Sequence, residues 1–325
     1  MTLTASTPAD ERPPRTRRSG RRRPAPTVEP SRPLTSAQRM VRRIPLLPAL
    51  VITIVVTQLP FLVTLWYSLQ DWNLQRPDER GFVWLRNYTD AFTDSRFRDA
   101  ALNTVTITAG AVIISMVLGL GCALLLDRKF FGRGVVRTML ISPFLIMPVA
   151  AALLWKYAMF NPTFGLLDAL PGLDGIDWVS RFPKASIIST LVWQWTPFMM
   201  LITLAGLQSQ PGDALEAAKV DGASAWQTFR WITFPHLRQY IELGLLLGSI
   251  YLVQTFDAIF SITRGGPGTA TTNLPYYLYQ SAFNQTEIGY AAALGVVTVV
   301  GTILVSTFAL RVVSSLFTGS DVMAK

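Results

Sequence analysis

The chain of 325 residues contains a single cysteine and a single histidine. Cys122 lies inside an apolar run, where we interpret it as a packing residue, and it has no second thiol for an internal disulfide. With one thiol and one imidazole, the chain offers no metal-ligand constellation and no nucleophile–base pair built from these groups. His236, which follows a proline in a polar stretch, is expected to be solvated.

Charged residues are also scarce, at 15% of the chain, whereas soluble globular proteins have about 25%. Half of all residues are apolar and they are concentrated in runs, which is typical of a chain that crosses a bilayer. The net charge of +9 would suit nucleic acid, but eleven of the 29 Lys and Arg precede residue 44. Because the remaining charges nearly balance, we expect membrane lipids as a partner and no nucleic acid.

The basic N-terminal segment, residues 1–43, is rich in Pro, Arg, Ser and Thr. Such a composition cannot bury enough apolar surface to offset its ordering entropy, so a disordered basic cytoplasmic tail is predicted. Binding to acidic lipid or to a ribosome-like surface is an alternative role. No G-x-x-x-x-G-K-[ST] run occurs anywhere in the chain, so no ATP site and no cofactor are expected in it.

Six apolar runs are each long enough to cross about 30 Å of hydrocarbon at about 1.5 Å per residue. We therefore predict an all-α membrane protein in which residues 44–317 form a six-transmembrane-helix bundle and residues 318–325 a short cytoplasmic tail. The fifth run is the least apolar. The predicted spans are 44–69, 102–126, 135–157, 185–208, 240–263 and 289–317.

Basic residues next to apolar runs predict the orientation of the bundle, because they favour the cytoplasmic side. Arg39, Arg42 and Arg43 abut the first run, and Arg128 and Lys129 follow the second. Both termini are therefore predicted to be cytoplasmic. The polar stretch between the fourth and fifth runs, about 209–239, falls on the same side.

That stretch reads EAAKVDGASAWQTFRWITFP from Glu216 to Pro235. Its apolar residues recur at steps of three and four, so one face of a helical segment is apolar. Gly222 predicts a bend, and Pro235 predicts that the second piece stops or kinks. We expect two short helices whose apolar face fits a groove, with an ordinary amphipathic connector as the alternative. The face consists of Leu215, Ala218, Gly222, Trp226 and Phe229.

The same stretch closely resembles the cytoplasmic loop of bacterial ABC-importer permeases, which reads E-A-A-x-x-x-G and ends on I-x-L-P. Phe234 stands where leucine is usual. In that family the loop forms coupling helices that dock into an ATP-binding subunit. The resemblance implies the fold of an ABC type I importer in the cell inner membrane, with ATP used by the partner. It also implies the docking residues Glu216, Ala217, Ala218, Asp221, Gly222, Ala223, Phe229 and Pro235.

Further signatures resemble the carbohydrate-uptake, maltose-type permeases of this family. They are Asn87-Tyr88 with Phe92, then Asn103-Thr104, and Gly265-Gly266-Pro267. The residues from Gly266 to Gln280 are similar to sorbitol and mannitol permeases, so the resemblance implies a carbohydrate or polyol importer working by alternating access. It further implies a second homologous permease, two ATP-binding cassette subunits and an extracytoplasmic solute-binding protein.

Other classes remain open at this point. An ABC permease for a different solute, such as a glycerol-phosphate ester, an amino acid, a peptide or phosphate, would share the docking loop. A membrane enzyme would need paired carboxylates, His or Cys within the membrane, and a passive channel would need no docking loop. A structural membrane protein is the remaining class.

Polar side chains within a bilayer are costly and normally face the bundle interior or a wet cavity. Tyr251, Gln254 and Thr255 are spaced to share one helix face. Aromatic rings can cover the C–H faces of a sugar while amides bind its hydroxyls. Packing or hydrogen bonding between helices is the alternative for the tryptophans, Gln254 and Thr255. The alternatives for Asp257 are a position in water at the outer mouth and pairing with Arg264. The predicted substrate-path residues are Gln194, Trp195, Phe198, Tyr251, Gln254, Thr255 and Asp257, and Trp155, Lys156 and Tyr157 are expected to anchor the outer interface.

Overall fold

A computed structural model describes residues 47–318, with only the backbone described at residues 308–310 and 312–318. The predicted tails, residues 1–43 and 318–325, lie outside this range except for Thr318. The chain divides into two units, Met1–Val56 and Thr57–Lys325. The first unit contributes only the opening residues of the first helix to the described part, and all other elements belong to the second.

The described residues are mainly helical, with one two-stranded antiparallel hairpin in which Gln70 pairs with Phe82. The π-helical turns Trp155–Met159, Phe229–Thr233 and Gln280–Asn284 each continue an α-helix, and a further π turn covers Ile259–Thr263. The helices are α1 (Leu47–Ser68), α2 (Arg86–Thr93), α3 (Ser95–Asp127), α4 (Arg133–Leu145), α5 (Pro148–Leu154), α6 (Trp178–Arg181), α7 (Pro183–Gln208), α8 (Gly212–Val220), α9 (Ala225–Thr228), α10 (Phe234–Val253), α11 (Leu274–Tyr279) and α12 (Ile288–Thr318), and the strands are β1 (Gln70–Asp71) and β2 (Gly81–Phe82).

Four of the described helices, α1, α3, α7 and α12, are long and apolar enough to cross a membrane, and α4 with α5 makes a fifth span if this bent pair is counted as one. The fifth predicted run corresponds to α10, whose 20 residues begin with the polar segment Phe234–Glu242. That polar start lowers its hydropathy, so its crossing stays a prediction. Helix α3, which corresponds to the span predicted at 102–126, begins earlier than expected. It starts after Asp94, whose side chain caps the helix by accepting a hydrogen bond from the Arg96 amide.

The expectation of a single helix over 135–157 is wrong. The chain bends by 101° between α4 and α5, where Ile146 and Met147 adopt extended backbone angles. Pro148 explains the break, since proline has no N–H and disfavours the helical conformation of the residue before it. The third span is therefore two helices that meet at an angle.

The core of the Thr57–Lys325 unit lies where α3, α7 and α10 pack together. Helices approach closely in membranes when small residues lie at the contact. Gly119 of α3 is such a residue: a Cβ placed on it would lie 2.6 Å from Met199 Cβ and 2.7 Å from the Met200 nitrogen. Because one of these atoms belongs to the α7 backbone, no side-chain rotation can relieve the clash.

We expect Gly119→Ala to destabilise the protein by about 1–3 kcal/mol, as overpacking does in a well-filled core. The measurement is the midpoint of thermal unfolding in detergent. Gly121→Ala is the matched control, because it lies on the same helix and its added Cβ would meet no atom within 4 Å. Equal midpoints for the two variants would show that the α3–α7 contact is looser than described.

Candidate functional site

The bend predicted at Gly222 is present and joins two short helices. Helix α8 ends at Val220, and Gly222 follows with φ +75°, a left-handed conformation that glycine adopts without strain. The Ala223 amide donates to the Ala218 carbonyl (2.9 Å) and the Gly222 amide to the Lys219 carbonyl (3.2 Å). These two bonds form the helix-ending motif that usually requires a glycine.

The second short helix begins directly after the bend. Ser224 and Gln227 bond each other's backbone amides in a capping box, with Ser224 N donating to Gln227 Oε1 at 2.8 Å. The bend and cap together hold α8 and α9 in an EAA loop, defined here as residues 211–233. The loop geometry thus arises from local sequence signals.

The EAA loop exposes large apolar side chains. Val220, Trp226 and Trp231 are 87%, 68% and 72% exposed, which marks a surface for a partner or a membrane. The single apolar face expected from the periodicity is split, because Ala218 turns inward while Trp226 points outward. Of the predicted docking residues, Glu216, Ala217, Asp221, Gly222 and Pro235 are exposed, Ala223 and Phe229 are half-buried, and Ala218 is buried.

Pro235 does not stop or kink the second piece, so that expectation is wrong. It lies in the first turn of α10, and the chain is helical from Ala225 to Val253 through the π turn Phe229–Thr233. Proline is tolerated in a first turn because its missing N–H is needed least there. The second half of the EAA loop therefore runs directly into the fifth predicted span.

The predicted substrate-path rings lie in one aromatic cluster, which consists of Phe144, Trp195, Phe198 and Tyr251. Trp195 is central, with ring centroids 5.5 Å from Phe198, 5.6 Å from Tyr251 and 5.7 Å from Phe144. Tyr251 is 57% exposed, so one side of the cluster is open in this chain. Phe144 was not predicted from the sequence, although Pro143 and Pro148, which flank the α4–α5 break beside it, indicate an interrupted helix there.

Gln194 is buried, and its side chain supports the broken third span. Its Nε2 donates to the Ile146 carbonyl at 3.1 Å, in the break between α4 and α5. The bond satisfies a carbonyl that the interrupted helix leaves free. Lys156 Nζ likewise donates to a backbone carbonyl, that of Ser261 in the π turn Ile259–Thr263, at 3.0 Å. A substrate contact by Gln194 stays a prediction, and its amide nitrogen is already engaged.

The expectation that Tyr251, Gln254 and Thr255 share one helix face is wrong for Thr255. Helix α10 ends at Val253, and the Thr255 carbonyl accepts a hydrogen bond from Asn273 Nδ2. The Gln254 amide donates to the Ile250 carbonyl at 3.1 Å. Asp257 is half-buried, and among the described side chains it forms no ion pair with Arg264.

The Asn-Tyr and Asn-Thr signatures act as structural ties at the end of the bundle opposite the EAA loop, here called the cap end. Asn87 Nδ2 donates to the Ser68 and Gln70 carbonyls, each at 2.9 Å. Asn103 Nδ2 donates to the carbonyls of Thr269 and Thr272, also at 2.9 Å. The loop that contains Gly265-Gly266-Pro267 is thereby held against α3.

A polar cleft of about 500 Å³ opens at the cap end, and sequence reasoning did not foresee it. The Tyr277 hydroxyl donates a hydrogen bond to Asp94. The pKa of Tyr277 is raised far above its usual value, mainly by burial of the hydroxyl and next by the hydrogen bond to this carboxylate. The side chains that line the cleft come from segments far apart in the sequence, so no local pattern announces them. Its charged residues are Asp71, Arg76, Arg86, Asp90, Asp94, Arg96 and Glu287.

Comparison with known proteins identifies the family to which this chain is similar. A family model described as a binding-protein-dependent transport system inner membrane component matches residues 115–317. The probable ABC transporter permease protein y4oQ of Sinorhizobium fredii is 37% identical over 280 residues, which are 85% of this chain and 90% of that protein. The trehalose/maltose transport system permease protein MalF of Thermococcus litoralis is 34% identical over 260 residues, covering 78% of this chain and 87% of its own.

Solved structures show the same fold. One of them is the crystal structure of a bacterial alginate ABC transporter in complex with an alginate pentasaccharide-bound periplasmic protein. A chain of that structure superposes with a TM-score of 0.71 at 20% identity, over 84% of this chain and 93% of that one. The predicted all-α importer fold is therefore confirmed. The chain belongs to the family of binding-protein-dependent transport system inner membrane components and is a multi-pass permease subunit of an ABC importer.

Proposed function

We propose that this permease moves a neutral carbohydrate across the inner membrane. The similar permease of Thermococcus litoralis is named for trehalose and maltose, which supports a sugar. The aromatic cluster of Phe144, Trp195, Phe198 and Tyr251 carries no charge and offers ring faces for the C–H faces of a sugar. The polyol expectation stays a prediction, and a glycerol-phosphate ester is the alternative solute.

ATP hydrolysis in two separate ATP-binding subunits would drive the movement, with this chain supplying no catalytic group. The observation that supports this step is the EAA loop, whose bent pair of helices presents exposed Val220, Trp226 and Trp231. An amphipathic helix that lies in a groove is a common way to join two proteins. Glu216 and Gly222, both exposed, lie in the part that would enter the groove.

The mechanism is a population shift between states open to opposite sides of the membrane. ATP favours one state only through its stronger binding to that state, so the EAA loop must change position when the ATP-binding subunits close. Because α9 continues into α10 through Phe229–Thr233, a displaced loop displaces the fifth predicted span. That span carries Tyr251 of the aromatic cluster.

Two further partners complete the proposed importer. A second homologous permease would cover apolar surface that this chain leaves open, for example Leu145 and Met147 beside the α4–α5 break, which are 76% and 64% exposed. An extracytoplasmic binding protein would deliver the solute at the cap end. The solved alginate transporter, which is in complex with a pentasaccharide-bound periplasmic protein, supports a partner of this kind. Both termini would lie in the cytoplasm.

Reconstituted transport tests this proposal. The full importer, assembled from this chain and candidate partners in proteoliposomes, is expected to take up trehalose, maltose or a polyol only when ATP and the binding protein are both present. Uptake of glycerol 3-phosphate alone would favour the alternative solute. Transport by this chain without any ATP-binding subunit would overturn the proposed energy source.

A further inference from the structure

A polar cluster joins the last turn of α7 to the first turns of α10, at the point where the EAA loop leaves and re-enters the bundle. This base cluster consists of Gly206, Ser209, His236 and Tyr240. His236 Nε2 lies 3.1 Å from Ser209 Oγ and 3.2 Å from the Gly206 carbonyl oxygen. The histidine is half-buried, so the expectation that it is solvated is wrong.

The partners determine where the hydrogens lie in the base cluster. The Gly206 carbonyl only accepts, so His236 Nε2 must carry a hydrogen and donate. The Ser209 hydroxyl donates to the same carbonyl at 2.8 Å, which leaves its oxygen free to accept from the Tyr240 hydroxyl at 2.7 Å. Each hydroxyl and the imidazole N–H therefore has an acceptor, and the contacts that join the two helices span 27 to 31 residues of sequence.

Close packing strengthens the same contact. A Cβ on Gly206 would lie 2.7 Å from the Tyr240 ring and 2.8 Å from Leu237 Cδ2. The ring of Tyr240 therefore rests on the backbone of α7, and Leu237 is fully buried beside it. Apolar contact and hydrogen bonds together fix the distance between the two ends of the EAA loop.

We propose that His236 and Tyr240 are positioning residues that make α7 and α10 move as one body when the EAA loop is displaced. Helix α7 carries Trp195 and Phe198, and α10 carries Tyr251, so the base cluster links the loop to both sides of the aromatic cluster. Without the hydrogen bonds of the base cluster, displacement of the EAA loop would move α10, with which the loop is continuous, and would leave α7 behind. This inference rests on the proposed ATP-driven transport.

The test compares His236→Ala with His236→Gln in the full importer reconstituted in proteoliposomes. Loss of a hydrogen bond is worth about 1 kcal/mol, so we expect the number of solute molecules moved per ATP hydrolysed to fall about fivefold in His236→Ala. Glutamine carries an N–H at a similar reach and is expected to restore most of the ratio. Gln239→Ala, an exposed neighbour, is the control and should leave the ratio unchanged.

A second measurement does not depend on transport. Spin labels at Gln208 and Gln239, both exposed, report the α7–α10 distance in a variant that lacks Cys122. We expect one narrow distance distribution, which broadens in His236→Ala and in Tyr240→Phe and narrows again in His236→Gln. If His236→Ala does not assemble, Tyr240→Phe, which keeps the ring, takes its place in both measurements.

The inference is overturned if the transport ratio and the distance distribution stay unchanged in His236→Ala, or if His236→Gln is as impaired as His236→Ala. A wild-type importer that shows no ATP-dependent uptake would count against the proposed function instead. The distance measurement would still decide whether the base cluster holds α7 and α10 together.

Discussion

Gly222→Val is expected to reduce ATP-dependent uptake about tenfold or more while the protein stays in the membrane. The residue has φ +75°, a conformation that costs most amino acids about 1–2 kcal/mol and a β-branched residue more. No atom lies within 4 Å of an added Cβ, so the effect arises from the backbone conformation and not from a clash. The strained turn would re-aim α8 relative to α9 and disrupt the surface proposed to contact the ATP-binding subunit.

Gly222→Asn separates the backbone effect from the effect of adding a side chain. Asparagine adopts left-handed conformations far more readily than valine, so uptake is expected to stay near the wild-type rate. Co-purification of an ATP-binding subunit with each variant provides the second readout. If Gly222→Val retains both the ATP-binding subunit and full uptake, the bend has no role in docking.

Trp195→Leu is the second change with a large expected effect. Its ring contacts three others in the aromatic cluster, and aromatic pairs contribute about 0.5–1.5 kcal/mol beyond buried area. Without the indole ring, the free energy of contact with the solute is expected to weaken by about 1 kcal/mol. This loss corresponds to roughly fivefold slower transfer of the solute from the binding protein. The measurement is the initial uptake rate at saturating binding protein, where delivery from solution no longer limits the rate.

Trp193→Leu is the matched control, because Trp193 contacts Trp155, at 5.9 Å between ring centroids, and none of the cluster rings. Its uptake rate should stay near that of the wild type. Similar losses in both tryptophan variants would point to helix packing in place of a solute contact. An unchanged rate in Trp195→Leu would remove the aromatic cluster from the substrate path.

A local signal in the sequence was enough to predict the bend of the EAA loop. Gly222 predicted the bend, and the turn that it makes depends on only a few residues and survives in almost any surroundings, whereas the cap formed by Ser224 and Gln227 was not predicted. The apolar spans were predictable for the same reason, since a bilayer demands about 20 apolar residues per helix. The boundary at Asp94 was missed because the helix begins in polar sequence ahead of the apolar run.

Errors appeared wherever a side chain acts on a distant segment. Gln194 looked like a free amide within the membrane, but it bonds to Ile146 across 48 residues. His236 looked solvated because it follows a proline in the stretch between two apolar runs, whereas its partners Gly206 and Ser209 lie at the end of another helix. Spacing along one helix cannot reveal a partner on the next one.

By itself the sequence determined that this protein is a helical membrane protein with a bend at Gly222 in a polar loop, because hydropathy and turn chemistry are properties of short segments, and its resemblance to a known family predicted a permease. Only the tertiary structure decided that Gln194 bonds to the break in the third span, that Phe144 joins Trp195, and that His236 closes the base of the EAA loop. Those features depend on which helices lie side by side. The physical reason is that helix packing is set by close contacts, such as that of Gly119 with α7, which leave little trace in local sequence.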